Sequence, residues 1–301
     1  MIISAWVVTA YCIIFCVFWY IANYKAIRVI SAVNFFENTN PDFPEIWPSL
    51  SVIIAACNEA ETIKPAISTL LNQDYPNLEI IMVNDRSTDN TGQIIKDISK
   101  NDSRIKDIHI QYLPSGWLGK VNALDAGTKA ARGEWLLYTD ADVHFKQGIL
   151  RKAIAFTNAE KCDHLALMPV PHSSSFLLEV ITKTFGIMFL LMTESANAGN
   201  PGSKACVGIG AFNLVRRSSL EKTNGFSWLR MEVADDVGLG LMLKQSKAKS
   251  CFEIAREDLN LTWYSSISKM FTGLEKNLYG VLTGYSYINM AFYCIFAWAF
   301  I

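Results

Sequence analysis

Charge is scarce in this chain. Only 18% of its 301 residues are Asp, Glu, Lys or Arg, against roughly 25% in soluble domains. The 27 basic and 28 acidic side chains leave a formal charge of −1. That balance offers no hold on a polyanion, so nucleic acid is not expected as a partner. The seven cysteines include no C-x-x-C pair, and Cys12 and Cys16 fall inside an apolar run. A reducing compartment fits better than a disulfide framework. His109, His144, His164 and His172 lack zinc-site spacing and read as surface or satisfied core side chains. The phosphate loop G-x-x-x-x-G-K-[ST] fails, because Pro114 stands at the first Gly and Val121 at the Ser/Thr. No G-x-G-x-x-G occurs; Gly208-Ile209-Gly210 is a lone G-x-G, a weak signal. With 51% hydrophobic residues, 17 Gly and 9 Pro, the chain is neither disordered nor of low complexity.

What is plentiful is apolar sequence, concentrated at the two ends. Residues 1–24 carry no charge, and about 20 such residues cross a hydrocarbon layer as a helix. A cleaved signal peptide fits less well, since no basic residue precedes the run. Residues 277–301 are also uncharged, and 279–301 read as a second membrane helix. The chain stops inside or at the end of that span, which reads as a truncation. Lys25 and Arg28 follow the first span, so the positive-inside bias puts residues 25–276 in the cytoplasm. The expected location is the inner (plasma) membrane with the catalytic region on its cytoplasmic face. Residues 25–48 read as a Pro-containing juxtamembrane linker.

Between the ends, apolar strands alternate with amphipathic helices. Strands are expected at 49–56, 78–84, 108–113, 134–139 and 164–170, and helices at 59–72, 88–100, 119–131 and 146–160. Pro65 belongs in the first turn of its helix. This alternation predicts an α/β domain over 49–264 with a mostly parallel sheet flanked by helices. Ligands bind beyond the carboxyl ends of such strands. Cys57-Asn58-Glu59, Asp85 to Asp89, Gly116 to Lys120, and Asp140 to Asp142 all follow strand ends, so the distinctive polar groups share one edge.

Each motif supports a chemical and a bland reading. Asp140 and Asp142, two residues apart, repel unless a cation or proton lies between them. With substrate phosphates they suit Mg²⁺ or Mn²⁺; otherwise they form a solvated turn or a helix cap. Asp85 precedes the capping run Ser87-Thr88-Asp89 and is the better ligand candidate. Lys120 at a helix start opposes the helix dipole, which makes sense if it meets a phosphate, though a lysine in water is common. Asp235 and Asp236 open an apolar-periodic helix. One is a natural cap, and one is a candidate general base.

Together, SVIIAACNE, VNDRSTDNT, GWLGKVNAL, TDAD and ADDVGLG, in this order, resemble the family 2 glycosyltransferases of the GT-A fold over about residues 49–280. GWLGK with WYSSISKMFTGLEKN resembles a membrane-anchored bacterial subgroup typed as hopanoid-associated or carotenoid glycosyltransferases. The resemblance implies that Asn58, Glu59 and Asp85 hold the nucleoside. Lys120 would lie by the base or diphosphate. Asp140 and Asp142 would form the metal pair, with Asp142 the stronger ligand. Asp236 would be the catalytic base, with Asp235 replacing the usual Glu. It further implies an inverting transfer, dependent on Mg²⁺ or Mn²⁺, from a nucleotide sugar, UDP-linked, to an acceptor hydroxyl. The Q-x-x-R-W motif of processive synthases is missing; Trp263-Tyr264 is its nearest remnant. Trp263, Asp235 and Arg216 are expected on the acceptor side, with residues 207–220 lining it.

The acceptor is expected to be a membrane lipid. Residues 173–196 are apolar but interrupted by Glu179, Lys183 and Glu194, which fits a helix on the bilayer surface or an ordinary core helix. Residues 265–278 read as a second interfacial helix. Two alternatives remain: a processive polysaccharide synthase, and a non-catalytic nucleotide-binding membrane scaffold.

Overall fold

A computed structural model of the chain describes residues 2–173, 175–264, 266–274 and 286–299. Its elements in order are α1 (Ile2–Ser31), β1 (Leu50–Ala56), α2 (Ile63–Leu71), β2 (Leu78–Asp85), α3 (Thr91–Asn101), β3 (Ile105–Ile110), α4 (Gly119–Ala130), β4 (Trp135–Asp140), β5 (His144–Phe145) and α5 (Ile149–Ala159). There follow β6 (His164–Pro169), α6 (Phe176–Thr193), β7 (Asn213–Arg216), α7 (Arg217–Leu220), α8 (Asp235–Gln245), β8 (Ser250–Ala255), β9 (Leu259–Asn260) and α9 (Tyr287–Ala299).

The main sheet runs β3-β2-β1-β4-β7-β6-β8. All pairs are parallel except those made by β7, which lies antiparallel to both β4 and β6. The expected mostly parallel sheet flanked by helices is what forms. The insertion of β7 between β4 and β6 was not foreseen. Strand β3 pairs from Ile105, opposite Ile80, and ends at Ile110. It therefore lies three residues earlier than the apolar pattern of 108–113 indicated.

Strand periodicity divides the core into two layers. Val52 and Ile54 of β1 face one way with Ile80, Met82 and Leu137, covered by Ile63, Ile67 and Leu70 of α2 and by Leu150 and Ile154 of α5. Ile53 faces the other way with Ile81, Val83 and Leu136, covered by Val121 and Leu124 of α4 and by Leu239 and Leu243 of α8. Each such side chain contributes roughly 1.5–3 kcal/mol on burial. This sandwich holds α4 and α8 on one face, both with N-termini at the carboxyl edge of β1, β2 and β4.

Helix α1 is apolar around its circumference, and the side chains of Trp6, Val8, Ile14 and Tyr20 are exposed. It runs through Lys25 and Arg28 to Ser31, so the first seven residues of the expected linker are helical. The following segment docks on the sheet. The Ile254 N–H donates to the Asn34 carbonyl at 2.9 Å, Phe35 bridges Ile254, and Phe36 is fully buried with its ring 5.6 Å from that of Phe156. Val29 and Val33 pack beside Leu190 of α6.

Among the described residues, two helices are long and apolar enough to cross a membrane, Trp6–Ser31 and Phe176–Asn197. In α6 the charges of Glu179 and Lys183 pair with each other. Leu178 is buried against Met270 and Leu274, while Phe176, Leu177 and Met188 are exposed. Residues 267–274 are helical. Of the expected interfacial helix, 265 and 275–278 lie outside the described residues. Of the expected second span, 279–285 and 300–301 do.

Candidate functional site

The carboxyl ends of β1, β2 and β4 share one edge because the three strands are parallel. Beyond β1, Asn58 takes a left-handed backbone, φ 59°. Its Oδ1 accepts from the Thr88 N–H at 2.8 Å, and its own N–H donates to Ser87 Oγ at 3.0 Å. The Glu59 N–H donates to Thr91 Oγ1 at 2.8 Å, and the Glu59 carboxylate accepts from Thr62 Oγ1 at 2.6 Å. Asp89 accepts from the Ala60 N–H at 3.1 Å and from the Thr91 N–H at 2.9 Å. The hydroxyl of Thr91 and these N–H groups hold the Asp89 carboxyl below its ordinary pKa. Ser87, Thr88 and Asp89 therefore tie two loops together, and of these only Asp89 also bonds the start of α3, whose N-cap is Asn90.

Asp85 ends β2, is buried, and is gripped by both arms of Arg86 at 2.8 and 3.1 Å. Gly119 stands against it, and a Cβ there would come within 2.2 Å of Asp85 Oδ2. The next residue, Lys120, reaches across to Asp140 Oδ1 at 2.8 Å and Asp235 Oδ2 at 3.5 Å. Burial opposes its charge, but Asp140, Asp235 and Asp236 more than offset this, and the ammonium is held well above its ordinary pKa. Carboxylates satisfy the lysine that was expected to meet a phosphate. The Leu118 N–H donates to the Arg230 carbonyl at 2.7 Å, tying the start of α4 to the loop before α8.

The first turn of α8 supplies the other side. Burial pushes Asp235 up to about 6, with Lys120 opposing and Asp236 and Asp140 adding to the rise. Asp236 is also raised by burial, yet its carboxylate is well held. Oδ2 accepts from the Gly210 N–H at 2.8 Å and Oδ1 from the Val237 N–H at 2.9 Å. Gly210 also accepts from the Asp140 N–H at 3.1 Å, so one glycine links both acids. A Cβ on Gly208 would fall 1.7 Å from the Asp236 carbonyl oxygen. Gly208 of the lone G-x-G thus makes a backbone-on-helix contact that a side chain would block, while a Cβ on Gly210 would meet the Asp140 carboxylate.

A cavity is lined by Lys120, Tyr138, Thr139, Asp140, Gly210, Asn213, Phe226, Asp235 and Asp236, among others. Four acidic or basic candidates from the sequence meet there. Gly210 and Asn213 belong to the expected lining segment 207–220 but were not singled out, Thr139 stood only within TDAD, and Phe226 was not anticipated. Asp142 is pushed up to about 6 by burial, then by Asp140 and Glu59. Among the described residues, no group of three or more His, Cys, Asp or Glu is disposed to hold a metal ion. Asp140 and Asp142, crowding each other, fit a hard divalent ion only if substrate oxygens complete its shell.

Two residues expected on the acceptor side, Arg216 and Trp263, do not line the cavity. Because β7 is antiparallel, Asn213 pairs with Tyr138 at the site edge and Arg216 with Trp135 at the far edge. Three strand steps carry Arg216 about 10 Å from Asn213. There its guanidinium lies 4.4 Å above the Trp135 ring and 3.1 Å from Glu134, which corrects its placement beside the acceptor. Trp263 packs 5.1 Å from Phe185 and stacks on Tyr264, in the seam beneath α6 rather than in the cavity.

The model of the family described as "Glycosyl transferase family 2" matches residues 51–223, more than half of the chain. The chain belongs to glycosyl transferase family 2. Over 144 residues it is 38% identical to an uncharacterized glycosyltransferase of Haemophilus influenzae, covering 48% of this chain and 41% of that one. Over 94 residues it is 40% identical to the poly-beta-1,6-N-acetyl-D-glucosamine synthase of Staphylococcus epidermidis, covering 31% of this chain and 21% of that one. The chain thus spans less than half the length of these relatives. The fold is shared with the mannosyltransferase PcManGT of Pyrobaculum calidifontis, solved in complex with GDP-Man and Mn²⁺. The TM-score is 0.56 at 19% identity, over 77% of this chain and 63% of that one. That likeness places the sheet and its flanking helices in the GT-A architecture.

Proposed function

We propose that this family 2 member moves a sugar from a UDP-linked donor to a hydroxyl of a membrane-lipid acceptor, with inversion at the anomeric carbon. The observation that carries the proposal is the meeting of Lys120, Asp140, Asp235 and Asp236 around one cavity from three separate parts of the chain. In this reading Asn58, Glu59 and Asp85, on the cross-tied loops beyond β1 and β2, hold the nucleoside. Lys120 faces the diphosphate, and its positive charge offsets the charge that grows as the donor bond breaks. Asp236 takes the proton of the acceptor hydroxyl, and the oxygen attacks from the face opposite the leaving diphosphate. Asp142 and Asp140 would hold Mg²⁺ or Mn²⁺, which when bound spreads the negative charge of the leaving group.

The acceptor side is argued from the apolar helices. Helix α1 is exposed along its length, and the exposed Phe176, Leu177 and Met188 lie on a helix that packs against its end. We take α1 as a membrane anchor, with the catalytic domain on the cytoplasmic face of the inner membrane and α6 against the bilayer. A lipid hydroxyl at the interface would then reach the cavity edge. The hopanoid-associated or carotenoid subgroup narrows this further. Likeness to the staphylococcal synthase favours a second reading, repeated transfer to a growing polysaccharide.

The test incubates the purified full chain with UDP-sugars and Mn²⁺ or Mg²⁺, with and without a bacterial lipid extract. Expected are metal-dependent UDP release stimulated by the lipid, and a lipid product one sugar heavier by mass spectrometry. A ladder of longer products would select the synthase reading. No UDP release from any donor would leave a nucleotide-binding scaffold.

A further inference from the structure

We infer that His164, a fully buried histidine that does not itself line the cavity, acts through Asn213 as a positioning residue for Asp236. The inference rests on the reading of Asp236 as the base. His164 opens β6, its Nδ1 lies 3.0 Å from Ser250 Oγ of β8, and its Nε2 meets Asn213 Oδ1 of β7. Asn213 lines the cavity, and its Nδ2 reaches the main-chain carbonyl of Asp236 at 3.4 Å.

For a neutral ring, hydrogen-bond polarity leaves one arrangement. The Asp236 carbonyl can only accept, so the amide nitrogen of Asn213 must face it. The amide oxygen then faces His164, so Nε2 must carry the ring proton. Nδ1 is bare and accepts from the Ser250 hydroxyl. One neutral tautomer satisfies every group in the chain Ser250–His164–Asn213–Asp236. Burial favours it, holding the ring at about 4 against the weaker pull of the Asn213 hydrogen bond. Without the ring proton the amide is free to turn over and set its oxygen against the Asp236 carbonyl. That carbonyl belongs to the residue whose carboxylate is held by Gly210 and Val237. A shift at this point misaims the carboxylate, and small misplacements are costly to turnover. Asn58, Glu59 and Asp85 lie at or just beyond the ends of other strands, and Lys120 is held by the side chains of Asp140 and Asp235 rather than by the Asp236 main chain, so donor binding is expected to hold.

The experiment uses the full chain with the UDP-sugar and lipid extract that support UDP release. His164→Leu is expected to lower kcat about tenfold to a hundredfold, with donor KM and the Kd for UDP unchanged. His164→Gln keeps one donor and one acceptor and is expected to recover most of kcat. Retained kcat in His164→Leu, or equal loss in both variants, overturns the inference. If His164→Leu does not fold, the Gln variant and the ring itself decide. Nitrogen NMR of labelled histidine should show a neutral Nε2–H ring at pH 7, and an Nδ1–H ring overturns the arrangement. Amide exchange at residues 235–238 should quicken in a folded His164→Leu and not in His164→Gln; equal exchange in both overturns the link to α8. These two readouts do not require Asp236 to be the base. A failure of that reading, seen as turnover surviving in Asp236→Asn, is therefore distinguishable from a failure of this one.

Discussion

The two halves of the sheet are built by different means. Strands β1, β2, β3 and β4 repeat one parallel strand–helix unit, and their loops are tied by side chains close in sequence to the strand ends, such as Asn58 to Thr88 and Glu59 to Thr91. The half formed by β7, β6 and β8 has no such repeat. It depends on a four-residue strand inserted against the chain direction, on glycines that let backbone press on α8, and on a buried histidine–asparagine link. One half gathers donor-side candidates by local rules. The other gathers the candidate base by long-range packing, so it should be the more sensitive to single atoms.

The largest effect expected from breaking the second half is chemical. Asp236→Asn should lower turnover roughly 10²–10⁴-fold while UDP affinity, read by calorimetry, stays near the parent value. Gly208→Ala comes next. Its Cβ would overlap the Asp236 carbonyl, and such overpacking costs about 3 kcal/mol. It should show as a lower Tm and weakened turnover, whereas an equally stable, equally active variant would mean that the contact is loose.

A pH series sharpens the comparison. His164 sits at about 4 in the folded chain against about 6.5 when unfolded. The unfolded state therefore binds the extra proton between those values. The stability due to neutral burial is complete above about 6.5 and is lost as pH falls toward 4. Parent protein should lose about 2 kcal/mol more than His164→Gln between pH 7 and pH 5, measured by denaturant unfolding. Asp235 works in the opposite sense. Raised to about 6, it removes stability as pH rises through that value and is common to both proteins, so the difference isolates the histidine. The smallest effect belongs to Arg216→Ala. Its place at the far edge predicts turnover within about twofold of the parent, and a large loss of donor or acceptor use would return it to the site.

Legibility cut across that division. Strands β1, β2, β4 and β6 were readable because their Ile-, Val- and Leu-rich runs are long enough to show a period. Asp85, Lys120 and Asp140 were readable because each closes or opens such an element. Strand β7 was not, since Asn213–Arg216 is too short to carry a pattern of its own. Arg216 was misplaced for the same reason, because which way a strand points is set by its partner. Gly210 and Asn213 act through backbone N–H, carbonyl and amide groups, which no residue-type pattern announces. The sequence left His164 as either a surface or a core histidine, and it is a core one; what its ring nitrogens touch comes from β7 and β8.

Residue order alone determined the apolar ends, the alternation of strands and helices, and the placing of polar groups after strand ends, because these follow from nearest-neighbour periodicity. Only the tertiary structure decided that β7 runs backwards between β4 and β6, that Lys120 spans Asp140 and Asp235, and that Asp236 hangs on Gly210 and Asn213. Those outcomes depend on contacts between segments tens of residues apart, where packing and hydrogen-bond polarity select one arrangement.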